Sequence, residues 1–226
     1  MKVVIQCAAK KNPLARHLTD SNGVRILFVA KPEIAPPNQS LRYARPDHTA
    51  ANGKSWVEYL REYNEQYNKH GNNPCQLIPA YQLYARPSYK MLVNRYGADN
   101  VFVLSAGWGL VNAEFLLPEY DITFSPSANA VNAYKRCGKH DDYGDLCLLR
   151  LEDDDLVFFG GKGYQPLFCK LTENYRGKRF AFYKSAVAPD MPGCKLIKYE
   201  TPASTNWHYL CAKDFANGEI SLPASP

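Results

Sequence analysis

Short apolar runs recur along the chain at Val3 to Gln6, Ile26 to Val29, Val101 to Leu104, Ile122 to Phe124, Leu156 to Phe159, Phe180 to Phe182 and Lys195 to Tyr199. Runs of this length, rich in β-branched and aromatic residues, predict buried strands. Helical spacing appears between them. From Gly53 to Lys69, Trp56, Leu60, Tyr63 and Tyr67 form one apolar stripe, while Glu58, Arg61, Glu62 and Glu65 fall on other faces. Gly71-Asn72-Asn73-Pro74 ends that helix. Ile78 to Tyr96 is also helical in pattern, with a break near Pro87 and a buried face of Tyr89, Leu92, Val93 and Tyr96. Gly97 to Asn100 then turns the chain into the Val101 strand.

Helix, turn, buried strand and glycine-rich loop in succession predict an α/β fold with a mostly parallel central sheet. One domain over residues 1–226 is expected. Pro32, Pro36, Pro37 and Pro46 predict irregular backbone around the Ile26 strand, within an irregular insertion at about residues 18–73. Ala128 to Gly144 reads as a polar helix or loop, and Thr201 to Tyr209 as a tail after the last strand.

Two strands end in glycine corners. Val101 to Leu104 opens into Ser105-Ala106-Gly107-Trp108-Gly109, and Leu156 to Phe159 into Gly160-Gly161-Lys162-Gly163-Tyr164. If the strands are parallel neighbours, both loops open on one sheet edge, where α/β folds bind ligands. Glycine lets backbone approach a ligand closely. Trp108 and Tyr164 could offer flat faces, or could equally be core residues. Pro118-Glu119-Tyr120-Asp121 sets a phenol and a carboxylate nearby, suiting a nucleobase or nucleoside. Val3 to Gln6 runs into Cys7-Ala8-Ala9-Lys10-Lys11, like a phosphate-binding corner but without P-loop glycines. In the tail, Asn206 and His208 lie among small hydroxyl and aromatic residues, where a neutral imidazole could hydrogen-bond a leaving base or be a satisfied half-buried residue.

Composition adds three constraints. The +5 net charge, with 16 Tyr and 10 Phe, mildly favours a polyanion read by stacking, although most rings could fill the core. Arg42 and Arg45 in the insertion, and the cluster of Lys135, Arg136 and Lys139, are candidate contacts to a DNA backbone; as solvated surface they need no explanation. The seven cysteines are scattered without a CxxC pair and read as free thiols in a reducing compartment. Cys137 and His140 have metal-like spacing but no second pair, and the acidic run Glu152 to Asp155 reads as a solvated turn, so no metal and no cofactor are expected. No run is long enough to span a bilayer, and MKVVIQCAAKK is too short and wrongly flanked for a signal peptide. A cytosolic protein with no membrane and no obligate protein partner is expected.

The segments IQCAAKK, ARPSYKMLVNRYG, VFVLSAGWGLV, LLPEYDITFS and LVFFGGKGYQPLF resemble a bacterial family related to peroxide-stress proteins and, more distantly, to uracil-DNA-glycosylase-like folds. The chain looks most like the branch of phage-defence DNA glycosylases that excise bulky modified cytosines. The resemblance covers about two thirds of the chain, and SAGWGL…PEYD is its specific part. It implies a three-layer α/β/α fold with a base pocket at the strand C-termini, and double-stranded phage DNA with modified bases as partner. The acid-loop and His-Pro-Ser signatures of uracil-DNA glycosylases are absent.

The expected mechanism flips a nucleotide into a pocket of Cys7 to Lys11, Gly107, Trp108 and Gly160 to Tyr164. Asp121 orients or deprotonates water and stabilises the sugar cation, Asn206 and His208 hold the departing base, and Trp108, Tyr120 or Tyr164 stack on it. Lys10, Lys11 and Lys162 grip phosphates or sugar decoration. A lysine Schiff-base route with strand cleavage stays open. The rivals are an N-glycoside hydrolase or deoxyribosyltransferase on free nucleosides or nucleotides, and a non-enzymatic DNA-binding stress protein.

Overall fold

The computed structural model describes residues 1–50, 53–68, 71–124, 132–137 and 142–223. The first strand, β1 (Lys2–Gln6), is followed by β2 (Leu18–Thr19), β3 (Arg25–Val29) and β4 (Leu41–Ala44). Helix α1 (Trp56–Tyr67), β5 (Ile78–Pro79), α2 (Ala80–Leu83) and α3 (Pro87–Tyr96) lead to β6 (Val101–Ser105) and β7 (Gly109–Asn112). Short strands β8 (Leu116–Leu117), β9 (Tyr120–Asp121) and β10 (Leu146–Cys147) come next. The chain then runs through β11 (Leu156–Phe159), α4 (Gln165–Leu171), β12 (Arg179–Tyr183), β13 (Cys194–Lys198) and α5 (Trp207–Asn217).

A seven-stranded sheet with the order β10-β7-β6-β1-β11-β12-β13 forms the core. From β6 to β13 all neighbours are parallel, and β6 with β7 is its antiparallel pair. Successive strand residues point to opposite faces. Phe158 stacks on Phe168 of α4 at 4.2 Å between centroids, while Phe159 meets Phe215 of α5 at 5.2 Å. Helices therefore cover both faces. Strands covered on both sides are continuously apolar, which is why runs rather than alternation marked them in the sequence.

The chain leaves β1, adds β6 on one side, then crosses to add β11, β12 and β13 on the other. At such a reversal the loops leaving β1 and β11 diverge and open a crevice at the C-terminal edge. Helices α3 and α5 pack against each other on one face: Ser88 Oγ donates to the Tyr209 carbonyl at 2.8 Å, and Tyr96 stacks on Phe215.

Four expectations are corrected. The insertion is not irregular: β2, β3 and β4 form a second sheet, and β9 joins it through β3. Its prolines lie between the strands, where they punctuate pairing without preventing it. Within it, α1 begins at Trp56 under a capping box: Glu58 N–H donates to Ser55 Oγ at 3.2 Å, and Ser55 N–H to Glu58 Oε2 at 2.8 Å. Ile78 and Pro79 pair with β8 instead of starting a helix, although the break before Pro87 stands. The tail holds α5, whose buried stripe of His208, Cys211, Ala212 and Phe215 is helical in spacing. Of Ala128 to Gly144, Asn132–Tyr134 forms a 3₁₀ turn, and Lys139 and His140 lie outside the described residues.

Among the described residues, no helix is long and apolar enough to cross a membrane. Among the same residues no group of three or more His, Cys, Asp or Glu is placed to hold a metal ion, and all seven cysteines are free.

Candidate active site

At the C-terminal end of β1 the backbone is fixed from both sides. Tyr89 Oη donates to the Gln6 carbonyl at 2.7 Å and Tyr209 Oη to the Cys7 carbonyl at 2.8 Å. Gly161 N–H donates to Gln6 Oε1 at 2.6 Å, and Cys7 Sγ lies 3.1 Å from Tyr164 Oη. These contacts tie the corner after β1 to the corner after β11.

The corner after β6 is built around Ser105, which is fully buried. Its Oγ accepts from the N–H groups of Gly107 at 3.2 Å and Trp108 at 3.1 Å. With its lone pairs so used, its one proton goes to Tyr120 Oη, 2.9 Å away, and Tyr120 Oη lies 2.8 Å from Tyr84 Oη. A Cβ on Gly107 would stand 3.2 Å from both Tyr120 and Ile122, and one on Gly163 would stand 3.1 Å from Phe124. Both corners thus close on the segment from Tyr120 to Phe124, at distances where a Cβ would push its neighbour by a few tenths of an ångström.

Arg136 locks this arrangement. Its side chain is 2% exposed and pairs with Asp145 at 2.6 Å, itself 2% exposed. It donates to the Ala106 carbonyl at 2.7 Å and lies over the Tyr143 ring at 4.0 Å. Its backbone N–H donates to the Thr123 carbonyl at 3.0 Å, two residues beyond Asp121.

The network frames a cleft of about 350 Å³ lined by Ala9, Lys11, Leu27, Glu119, Tyr120 and Asp121 among others. The half-buried Asp121 carboxylate makes no hydrogen bond or ion pair with any described residue. Burial raises its pKa above the ordinary carboxylate range; Lys11 opposes that rise and Glu119 adds to it. Lys11 Nζ donates to the carbonyls of Ala8 at 3.1 Å and Ala9 at 3.3 Å, and sits 4.4 Å from the centre of the Tyr120 ring. Burial lowers its pKa, against the pull of Cys7, Asp121 and Glu119. A carboxylate and an amine, each disfavoured in its charged form, face one small space. Shifted pairs of this kind that share a cleft are candidates for sites of chemistry.

Several residues singled out in the sequence stand elsewhere. Trp108 is fully buried, edge-on to Phe28 at 4.7 Å, and offers no face to a ligand. Tyr164 is buried, with its ring edge-on to Phe124 at 5.0 Å. The amides of Gly107, Trp108 and Gly161 are not free but taken by Ser105 and Gln6. Lys162 lines a different cleft, about 670 Å³ over the ends of β12 and β13, with Lys184 and Trp207. His208 is buried, its ring 4.1 Å from that of Tyr209, and neither ring nitrogen has a partner. Burial, then the Arg86 charge, pushes it down to about 4, so it is neutral at pH 7. Asn206 precedes α5 at φ 57° and is exposed. Neither lines the Asp121 cleft.

The backbone-contact candidates divide as well. Arg136 is a buried strut. Arg45 is bidentate to Asp47 and lies over Tyr143 at 4.8 Å, and Arg42 pairs with Asp20 at 3.4 Å. Lys10 is exposed and Lys135 half-buried. Tyr84 and Ser105, whose hydroxyls meet that of Tyr120 behind the cleft wall, went unmarked. A serine closing a wholly apolar strand was the available sign for Ser105, since a buried hydroxyl needs partners.

Comparison of the chain with protein-family models, with curated proteins and with solved structures gives no match.

Proposed function

We propose that this chain is a DNA glycosylase of uracil-DNA-glycosylase-like architecture. It flips a modified base, such as the glucosylated hydroxymethylcytosine of phage DNA, from the duplex and hydrolyses its N-glycosidic bond. The observation that carries the reading is the half-buried Asp121 carboxylate, without a partner among the described residues, in a cleft it shares with Lys11. A structural carboxylate at that depth is normally paired. One left open toward a cleft suits a group that meets positive charge arising only during reaction.

Rupture of the glycosidic bond puts positive charge on the sugar and negative charge on the base. Asp121, ionised, stabilises the sugar cation and orients the attacking water. Lys11, held inward by the Ala8 and Ala9 carbonyls, faces the departing base with its positive charge. The cleft volume of about 350 Å³ lies within the range of small-ligand pockets, roughly 300–1,000 Å³. The +5 net charge favours a polyanionic substrate over a free nucleoside.

The test is incubation with unmodified and modified duplexes followed by hot alkali. Strand breaks confined to modified duplex, and lost in Asp121→Asn, are expected. Release only from free nucleosides would assign the cleft to a nucleoside hydrolase, and DNA retardation without base release would leave a binding protein.

A further inference from the structure

The amine of the half-buried Lys11 side chain lines the same cleft as the Asp121 carboxylate. Its two hydrogen bonds, to the Ala8 and Ala9 carbonyls at 3.1 and 3.3 Å, need two N–H groups. A neutral amine has those two and keeps its lone pair free. The ring of Tyr120 closes one side of it at 4.4 Å and that of Tyr84 stands at 5.4 Å. Glu119, which shares the cleft, lies 3.6 Å from His17 Nε2, while the Asp121 carboxylate has no partner among the described residues. Desolvation of lysine is a recognised route to an amine nucleophile.

We propose that Lys11 is the nucleophile of a second activity, cleavage of the DNA strand at the abasic site. The idea rests on the glycosylase reading for its substrate. The neutral form of Lys11 carries the lone pair that the attack needs. Its lone pair attacks C1′ of the ring-opened aldehyde, forming a C–N bond, and the carbinolamine loses its oxygen as water to give a protonated imine. Asp121 takes a proton from C2′. The C–H electrons form a C1′–C2′ double bond as the C=N pair moves onto nitrogen. That pair then re-forms the imine, the C1′–C2′ π electrons move to C2′–C3′, and the C3′–O bond breaks, expelling the 3′ phosphate with its pair. Water then hydrolyses the imine, restoring the Lys11 amine and releasing an unsaturated aldehyde.

The experiment uses a labelled duplex with a preformed abasic site and the full chain, with and without sodium borohydride. Preformed abasic DNA bypasses base release, so the two activities fail separately. We expect nicking without borohydride and a covalent protein–DNA adduct with it, mapped by peptide mass spectrometry to Lys11. Lys11→Arg, which keeps the charge, should lose both signals. Adduct at another lysine or at the Met1 amine, or undiminished nicking by Lys11→Arg, would overturn the proposal. So would no adduct from a preparation that releases base from modified duplex. Adduct at Lys11 without base release from any duplex would sustain this activity while removing the glycosylase reading. Mapping on the wild-type chain decides the matter even if the variant misfolds.

Discussion

Replacing Arg136 with methionine should unfold the corner beneath the cleft, and its cost follows from what the arginine holds. The Arg136–Asp145 pair is 2% exposed on both sides, so its removal strands a carboxylate away from water. Breaking one side of a buried ion pair costs about 3–5 kcal/mol. The Ala106 carbonyl loses its guanidinium donor as well, adding about 1 kcal/mol. The expected loss of about 4–6 kcal/mol is a large share of the roughly 5–15 kcal/mol typical of a folded domain. Urea unfolding at pH 7 of the wild type, Arg136→Met, Asp145→Leu and the double variant measures it. The double variant should recover most of the loss, because no lone charge is then left inside. A cost below about 1 kcal/mol, the level of an exposed pair, would refute the strut. So would a double variant no better than the sum of the singles. A DNA-gripping Arg136 would behave otherwise: the variant would be stable, and the salt slope of DNA affinity would fall by about one.

Asp121→Asn should remove activity while leaving stability unchanged or slightly raised in a thermal melt, because the native state disfavours the charged form; a large destabilisation would mark Asp121 as structural. Gly109→Ala should cost at least about 2 kcal/mol in urea, since φ is 82° and a Cβ would lie 2.3 Å from the Leu146 carbonyl oxygen; a neutral result would contradict the close packing of β7 on β10. His208 is held near 4 in the folded state against 6.5 unfolded, so the unfolded chain takes up the proton first as pH falls. Its contribution is present above 6.5 and fades as pH drops toward 4, a loss of about 3 kcal/mol. His208→Leu should flatten that part of the stability–pH curve, and an unaltered curve would show that His208 is not buried neutral.

The central sheet was legible because strands covered on both faces become apolar runs, and β1, β6 and β11 carry such runs. Strand β13 and helix α1 were legible too, the latter through the Trp56, Leu60, Tyr63 stripe. Strands of two residues such as β9 leave no periodicity to read, so the second sheet was hidden although Ile26 to Val29 was seen. The glycine corners were visible as strand endings. What lines them was not: burial turned Trp108 and Tyr164 into core, and a single ion pair turned Arg136 from a surface cation into a strut. Asp121 and Lys11 lie 110 residues apart, and only the return of β9 alongside β3 puts both on one cleft. Such convergence is a property of topology and cannot be read from local spacing.

Mass spectrometry of what leaves phage DNA carrying hypermodified cytosine is the most direct test of the Asp121 cleft as the place where a glycosidic bond is cut. The wild-type protein should release the intact modified base, and Asp121→Asn, folded to the same melting temperature, should release none. An Asp121→Asn protein that frees the base at the wild-type rate would contradict the account.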